Sequence, residues 1–192
     1  MAKGNSKCIC FVLLVTTLFI TVVSGSQAGE GRSPFDPAPA GAKLSGIIEC
    51  GRGYTSHELY DMKITMLEVI RGDKAWKRLH KVSTVNKPAG RGFEYILARL
   101  KFEYDARGKP GLCVHKLTPE QFTACSMDGE DYPYTDLILP GPGMRGDLSS
   151  GDSLEGWIAL LVPITDEKPL LYYSADAGKA VLHGGNIWFK LN

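Results

Sequence analysis

The sequence lacks an excess of charge of either sign. Lysine and arginine together number 22 against 21 aspartates and glutamates, which leaves a formal net charge of +1. The basic residues form no stripe along the sequence, and a surface that binds nucleic acid needs such a cluster. The composition therefore argues against nucleic acid as a partner and leaves recognition to shape and local contacts.

The sequence also lacks an apolar run long enough to cross a bilayer as a helix. The N-terminal run covers only residues 9–23, whereas a membrane-spanning helix needs about 20 residues. Lys3 and Lys7 precede the run, and the small side chains of Ser26 and Ala28 follow it. This order is typical of a secretory signal peptide over residues 1–28. We therefore expect a secreted or periplasmic protein that contacts a membrane only if this segment stays uncleaved.

Cysteine is scarce beyond the predicted signal peptide, where Cys50, Cys113 and Cys125 remain. An exported chain meets oxidising conditions, so one disulfide and one remaining thiol are expected. Cys113 and Cys125 lie symmetrically about Pro119, as they would if that segment folded back on itself, and they are the predicted pair. Pairing through Cys50 stays open because a sequence gives no distances.

Residues that could hold a metal are also few. The chain has four histidines, and none lies at a metal-ligand spacing from another. Acidic side chains cluster at Asp128, Glu130, Asp131 and Asp136, but without the spacing of the twelve-residue calcium loop. We therefore expect no metal and no cofactor.

Alternation of apolar and polar residues takes the place of helical periodicity. Residues 57–71 and 94–104 both alternate, and in the second tract the even-numbered residues 96–104 are all apolar and should face the core. Residues 156–163 form an unbroken apolar run, typical of a strand covered on both faces. Residues 73–81 allow only one or two helical turns. Shorter strand-like tracts lie at residues 44–50, 121–125, 170–174 and 186–191.

About seven or more short strands without alternating helices predict an all-β fold, an antiparallel immunoglobulin-like β-sandwich. Residues 29–43 are rich in proline and glycine and form an extended lead-in, and residues 44–192 form the sandwich domain. Trp157 follows every cysteine, so the Cys, Trp, Cys order of antibody domains is missing. The fold prediction therefore depends on patterning.

One string suggests catalysis. Gly151-Asp152-Ser153-Leu154 matches the signature of a family of serine esterases. A serine nucleophile needs a histidine to take its proton and an acid to orient that histidine. The acid expected just ahead of His183 is missing, since Ala180 stands there. We predict that the chain is not an enzyme, with a small serine hydrolase using Ser153 as the alternative.

Arg-Gly-Asp occurs twice, at Arg71-Gly72-Asp73 and at Arg145-Gly146-Asp147. On an exposed hairpin tip this tripeptide can bridge to an integrin, so adhesion is a second alternative. Both copies fall at predicted strand ends, where turns favour glycine and aspartate in any case. Trp76 lies in a charged segment and completes the candidate binding loops, whereas Trp157 and Trp188 are expected in the core.

A series of tracts follows in order between residues 32 and 191. The tracts are Arg32–Gly41, Tyr60–Gly72, Gly92–Tyr104, Leu117–Phe122, Asp128-Gly129 with Tyr132, and Gly151–Pro163. Together they resemble a bacterial family of immunoglobulin-like domains of unknown function, found in exported proteins and lipoproteins, whose relatives include a secreted mycobacterial antigen. Residues 50–56 and 73–81 depart from that pattern.

The resemblance implies a β-sandwich, export and no known enzymatic activity, and it supplies no functional residues. We therefore expect an exported, non-catalytic domain that acts through loops or an exposed sheet edge. Its partner would be a protein or a component of the cell envelope, because a flat sandwich offers no deep polar cleft by default.

Overall fold

The computed structural model of the chain describes residues 30–51, 57–108, 113–175 and 180–192. The predicted signal peptide, residues 1–28, lies outside the described residues. The described elements are, in chain order, β1 (Lys43–Gly51), β2 (His57–Arg71), α1 (Asp73–Val82), β3 (Phe93–Ala106), β4 (His115–Leu117), a 3₁₀ turn (Pro119–Gln121), β5 (Phe122–Cys125), β6 (Gly146–Leu148), β7 (Ser153–Pro163), β8 (Leu170–Tyr173), β9 (Ala180–His183) and β10 (Ile187–Lys190).

The strands form antiparallel sheets, as the alternation predicts. The main sheet has the order β7-β3-β2-β1-β9, and a smaller sheet has the order β10-β8-β5. β4 and β6 pair with each other. β1, β2 and β3 follow one another as a meander within the main sheet, whereas the first three strands of an immunoglobulin constant domain are divided between its two sheets.

The core lies between the main and the smaller sheet. On β2, Met62 and Ile64 are fully buried, and the even-numbered residues 96–104 of β3 are buried beside them, as predicted. The ring of Phe102 on β3 lies 5.5 Å from the ring of Tyr173 on β8. The apolar parity of the long strands therefore fixes which face of the main sheet meets the smaller one.

α1 covers part of the opposite face of the main sheet and is longer than the one or two turns expected. Ala75 and Leu79 are fully buried against a patch that includes Leu97 on β3 and Trp157 on β7. Because the helix lies there, this part of β7 is buried on both faces, as its unbroken apolar run predicts. Trp157 is a core residue, as expected. Within the described part of the chain, no helix is long and apolar enough to span a membrane.

The disulfide joins Cys50 to Cys113, so the predicted Cys113–Cys125 pair is wrong. The two Cα atoms of the observed pair lie 6.3 Å apart. Cys125 is a free thiol, fully buried, and burial raises its pKa to about 11. The symmetry about Pro119 misleads because β4 and β5, on either side of this residue, belong to different sheets and do not pair with each other.

The lead-in is hydrogen-bonded into the fold. The Ala38 N–H donates to the Trp188 carbonyl over 3.0 Å, and the Lys190 N–H donates to the Ala38 carbonyl over 2.8 Å. Ala38 itself is fully buried. The lead-in is therefore part of the same packed unit, with Ala38 beside β10.

Candidate binding groove

A groove with a volume of about 1050 Å³ lies where β2 ends and α1 begins. Its lining includes Arg71-Gly72-Asp73 and Trp76, so the structure brings the first Arg-Gly-Asp copy together with the tryptophan of the predicted binding loops. Phe93 and Ile164, which are 38% and 57% exposed, add apolar surface. The groove is thus a concave surface with aromatic, aliphatic and charged walls.

Gly72 allows β2 to turn sharply into α1. Its φ of +64° and ψ of −135° lie in a region that is essentially restricted to glycine. Its N–H donates to the Tyr95 carbonyl over 2.9 Å, and its carbonyl accepts the Trp76 N–H over 2.9 Å. A Cβ atom at this position would lie 2.8 Å from Glu94 Oε2. The strand pairing with β3 therefore ends at the residue where the helix begins.

Arg71 is held by the protein rather than presented at a loop tip. Its Nε donates to Glu94 Oε1 over 2.7 Å, and its terminal nitrogens donate to the carbonyls of Asp166 and Glu167. The guanidinium thus clamps the end of β2 to β3 and to the segment that follows β7. Since Asp73 begins α1, the first Arg-Gly-Asp copy does not form a hairpin tip.

The second Arg-Gly-Asp copy lies outside the groove. Arg145 is exposed and pairs with Glu120 over 2.9 Å, and Gly146 and Asp147 belong to the extended strand β6. Burial raises the pKa of the Glu120 carboxyl. Hydrogen bonds from a backbone N–H, from a threonine hydroxyl and from Arg145 lower it by more, so the pKa is lowered overall. Gly146 and Asp147 of this copy are therefore held in a strand, and Arg145 directly precedes it.

Trp76 is half-buried, although the sequence suggested an exposed contact. Its ring centroid lies 6.3 Å from that of Tyr95 and 5.0 Å from that of His80. The remaining surface of Trp76 faces the groove. Trp188, expected in the core, is also half-buried, and its ring lies 5.0 Å from that of Tyr172.

β2 extends beyond the start of β1, so the two strands pair along only part of their length. β1 begins at Lys43, which lies opposite Thr65. The next residue of β2, Met66, bonds to the lead-in, since its carbonyl accepts the Gly41 N–H over 2.8 Å. After a bulge, the rest of β2 pairs with β3 alone. That side of β2 has no strand partner among the residues that the structure describes.

The unpaired side of β2 presents backbone groups at regular intervals. In antiparallel pairing, successive residues point their N–H and C=O alternately to the two sides of a strand. Because Gly72 bonds to β3, Ile70 and Glu68 also bond to β3, and Val69 and Arg71 point their N–H and C=O outward. Among the described residues, no backbone hydrogen bond reaches these outward groups. Residues 68–71 are part of the groove lining, and we call this segment the open edge of β2.

The structure does not bring a histidine to Ser153. This serine begins β7 and is exposed on the side of the main sheet away from the core. His183 lies on β9 at the opposite border of that sheet, roughly 19 Å away at ordinary strand spacing. His115 lies in the core, on the other face of the sheet. His80 lies on α1, against Trp76.

Glu49 joins two histidines that the sequence keeps 126 positions apart. His57 Nδ1 lies 2.6 Å from Glu49 Oε1, and His183 Nε2 lies 2.7 Å from Glu49 Oε2. Glu49 lies on β1, His57 on β2 and His183 on β9. The strand register places the two histidines diagonally across from Glu49, in opposite directions along β1. They bridge strands rather than converge on one point. In the described ranges, no three metal-ligating side chains can hold a metal ion.

His115 is a buried histidine that the sequence does not distinguish from the others. Its Nε2 lies 3.0 Å from the hydroxyl of Tyr173, and its ring stacks on that of Phe102 with centroids 5.4 Å apart. Burial lowers the pKa of His115 to about 4 because the charged imidazolium loses its hydration. His115 is therefore a neutral core residue at physiological pH.

The fold and the groove define a class: an antiparallel β protein with an open strand edge beside a half-buried tryptophan. No protein-family model and no curated protein matches the chain. Among solved structures, the chain is similar to the candidate lipoprotein YcdA of Bacillus subtilis strain 168, with 14% sequence identity and a TM-score of 0.45. The match covers 68% of this chain and 36% of YcdA, so the chain spans about a third of that protein's length.

Proposed function

We propose that the chain is an exported, non-catalytic binding module that acts outside the cytoplasm through the groove beside Trp76. The groove carries the binding part of this proposal, because it joins an open strand edge to apolar and charged side chains in one concavity. The partner is a protein or a component of the cell envelope.

Two features support export. Residues 1–28 have the order of a signal peptide, and the Cys50–Cys113 disulfide suits an oxidising compartment. The kinship with bacterial immunoglobulin-like domains is part of the proposal, supported by the ordered sequence tracts and by the two facing sheets. The meander of β1, β2 and β3 within one sheet departs from the strand arrangement of an immunoglobulin constant domain.

Export is tested by producing the full chain, tagged at its C-terminus, in a bacterial host and sequencing the N-terminus of the product. We expect a product that begins at Gly29 and is recovered outside the cytoplasm. A matched variant with Leu13→Arg and Leu14→Arg, which breaks the apolar run, should stay inside at full length. A wild-type chain that keeps residues 1–28 and stays in the cytoplasm contradicts the proposal.

The non-catalytic character is supported by the separation of Ser153 from the histidines. Hydrolysis of p-nitrophenyl acetate by the purified protein should be the same in wild type and in Ser153→Ala. If the variant keeps its fold and its rate falls to the uncatalysed level, the alternative hypothesis of a serine hydrolase that uses Ser153 is supported.

A further inference from the structure

We propose that the open edge of β2 accepts an extended peptide as an additional strand. The inference rests on the proposed binding function and names the class of partner. Val69 and Arg71 direct two N–H groups and two carbonyls to the same side, at the two-residue period of a strand. A peptide in extended conformation carries the matching acceptors and donors at the same period, and addition of a strand to an open sheet edge is a known mode of peptide recognition.

The two ends of the open edge limit the length of the added strand. At one end, the Gly41 N–H already bonds to the Met66 carbonyl, so the lead-in blocks further pairing. At the other end, the chain turns at Gly72 into α1. Only the stretch between Met66 and Gly72 is open. A short extended segment fits this stretch, and a long strand does not.

A second copy of the chain fits this edge poorly. In a symmetric pairing a second copy would offer its own β2, which carries β1 and the lead-in along that same side. Antiparallel pairing centred on Ile70 would bring that copy's lead-in to the level of Lys74. The first turn of α1 already begins there. An isolated peptide segment has no such attachment.

The walls of the groove set the character of the peptide side chains. Trp76, Phe93 and Ile164 offer apolar surface beside the open edge. The charges are of both signs, since Asp73 and Lys74 are neighbours and Arg71 is already paired with Glu94. Main-chain pairing gives affinity without regard to sequence, whereas the apolar wall selects aromatic or aliphatic side chains. The peptide class is therefore extended and apolar, without a required charge.

The test selects binders from a phage-displayed library of random dodecapeptides on the purified protein and measures the affinity of the synthesised peptides. Val69→Pro removes one outward N–H, which makes no bond within the sheet, and a proline is tolerated at such an edge position. Loss of a strand-pairing bond should weaken binding by about tenfold. Val69→Ala also truncates the side chain but keeps the N–H, so it should bind about tenfold more tightly than Val69→Pro, by the same reasoning.

A second measurement keeps the test valid if Val69→Pro does not fold. Each selected peptide is N-methylated at alternate positions, in two series of opposite parity. One series blocks the N–H groups that face β2 and should lose binding, and the other should keep it.

Three outcomes overturn the proposal: no peptide binds, both methylated series bind equally well, or the open edge is taken up by self-association of the free protein. Such a failure leaves the export test untouched, because that test reads cleavage and location and not binding.

Discussion

At Gly72 the backbone adopts a conformation that only glycine tolerates, and the shape of the groove depends on it. The same residue ends the pairing of β2 with β3 and accepts the first hydrogen bond of α1 from Trp76. A side chain there would meet the Glu94 carboxylate, which holds Arg71. The absence of a Cβ atom at Gly72 therefore leaves room for the end of β2, the start of α1 and the Arg71–Glu94 ion pair to lie side by side.

Gly72→Ala should lower the free energy of unfolding by about 1–3 kcal/mol, because the φ and ψ of this position are strained for alanine. The added Cβ would also displace the Glu94 carboxylate. Gly90→Ala is the matched control, since its φ is not positive and no atom lies within 4 Å of an added Cβ. Urea unfolding at pH 7 measures both variants. Equal stability of the two would show that the turn does not require glycine.

His115 should make the protein sensitive to acid. Its pKa is about 4 in the folded state and about 6.5 when unfolded, so the unfolded state binds more protons between these values. The stabilising contribution is complete above pH 6.5 and is lost as the pH falls towards 4. Between pH 7 and pH 5 the loss attributable to His115 is about 2 kcal/mol.

The variant His115→Phe checks this prediction. It keeps an aromatic ring against Phe102 but does not titrate, so its unfolding free energy should fall less between pH 7 and pH 5. Its stability at pH 7 should itself be lower by about 1–3 kcal/mol, because the Tyr173 hydroxyl loses its partner. Only the difference in pH dependence bears on the pKa. Parallel pH profiles for the two proteins would refute the account.

Among the elements, α1 is stabilised by docking rather than by its own sequence. A helix of 10 residues is marginal in isolation, and α1 has no side-chain cap at its start. Leu79 and Ala75 bury its apolar side against β3 and β7. The guanidinium of Arg78 lies 4.2 Å from the centroid of the Trp157 ring and adds a cation–π contact on the same side.

Leu79→Ala should lower the free energy of unfolding by about 2–5 kcal/mol, the cost of a large-to-small change in a packed core. It should also loosen the helix, which supplies the Trp76 wall of the groove. Lys77→Ala, on the exposed side of the same helix, is the control and should change stability by less than about 0.5 kcal/mol. Chemical denaturation followed by tryptophan fluorescence measures both. A small effect of Leu79→Ala would mean that α1 is not anchored through this residue.

Local patterns predict the strands well and the contacts between distant segments poorly. Residues 57–71 alternate and form β2 over the same span, because each side chain reports its own face of the sheet. α1 is underestimated because its sequence is dominated by charge, and its stability comes from residues on β3 and β7. The disulfide depends on where β1 ends relative to the segment before β4, and no local pattern carries that relation.

The candidate site shows the same division. Trp76 and Arg71-Gly72-Asp73 attract attention by residue type alone. The open edge beside them exists because β1 starts opposite Thr65, and this is a property of strand register between distant segments. The contact of His57 and His183 with Glu49 likewise depends on register. Sequence periodicity gives the faces of strands but not the partner of each edge.

At the scale of the whole molecule, the disulfide ties the main sheet to the segment before β4. It joins residues 63 positions apart in the sequence. A cross-link of this span restricts the unfolded chain and stabilises the folded one. Cys125 takes no part, since it is buried and unpaired.

The double variant Cys50→Ala with Cys113→Ala should lower the free energy of unfolding by about 2–5 kcal/mol. Reductant should lower the melting temperature of the wild type and of Cys125→Ala, and leave that of the double variant unchanged. Thermal unfolding with and without dithiothreitol measures this. If reductant lowers the melting temperature of the wild type but not that of Cys125→Ala, Cys125 belongs to the cross-link and the Cys50–Cys113 pair is contradicted.

The open edge of β2 is the feature on which the proposed recognition depends, and amide hydrogen exchange tests it most directly. The full chain is exchanged at low protein concentration without added peptide, and residues 68–71 are read individually by NMR. Val69 and Arg71 should exchange at least about tenfold faster than Glu68 and Ile70, because only the latter two amides bond to β3. Protection of Val69 and Arg71 equal to that of Glu68 and Ile70 would mean that this edge is already paired, and would contradict the account.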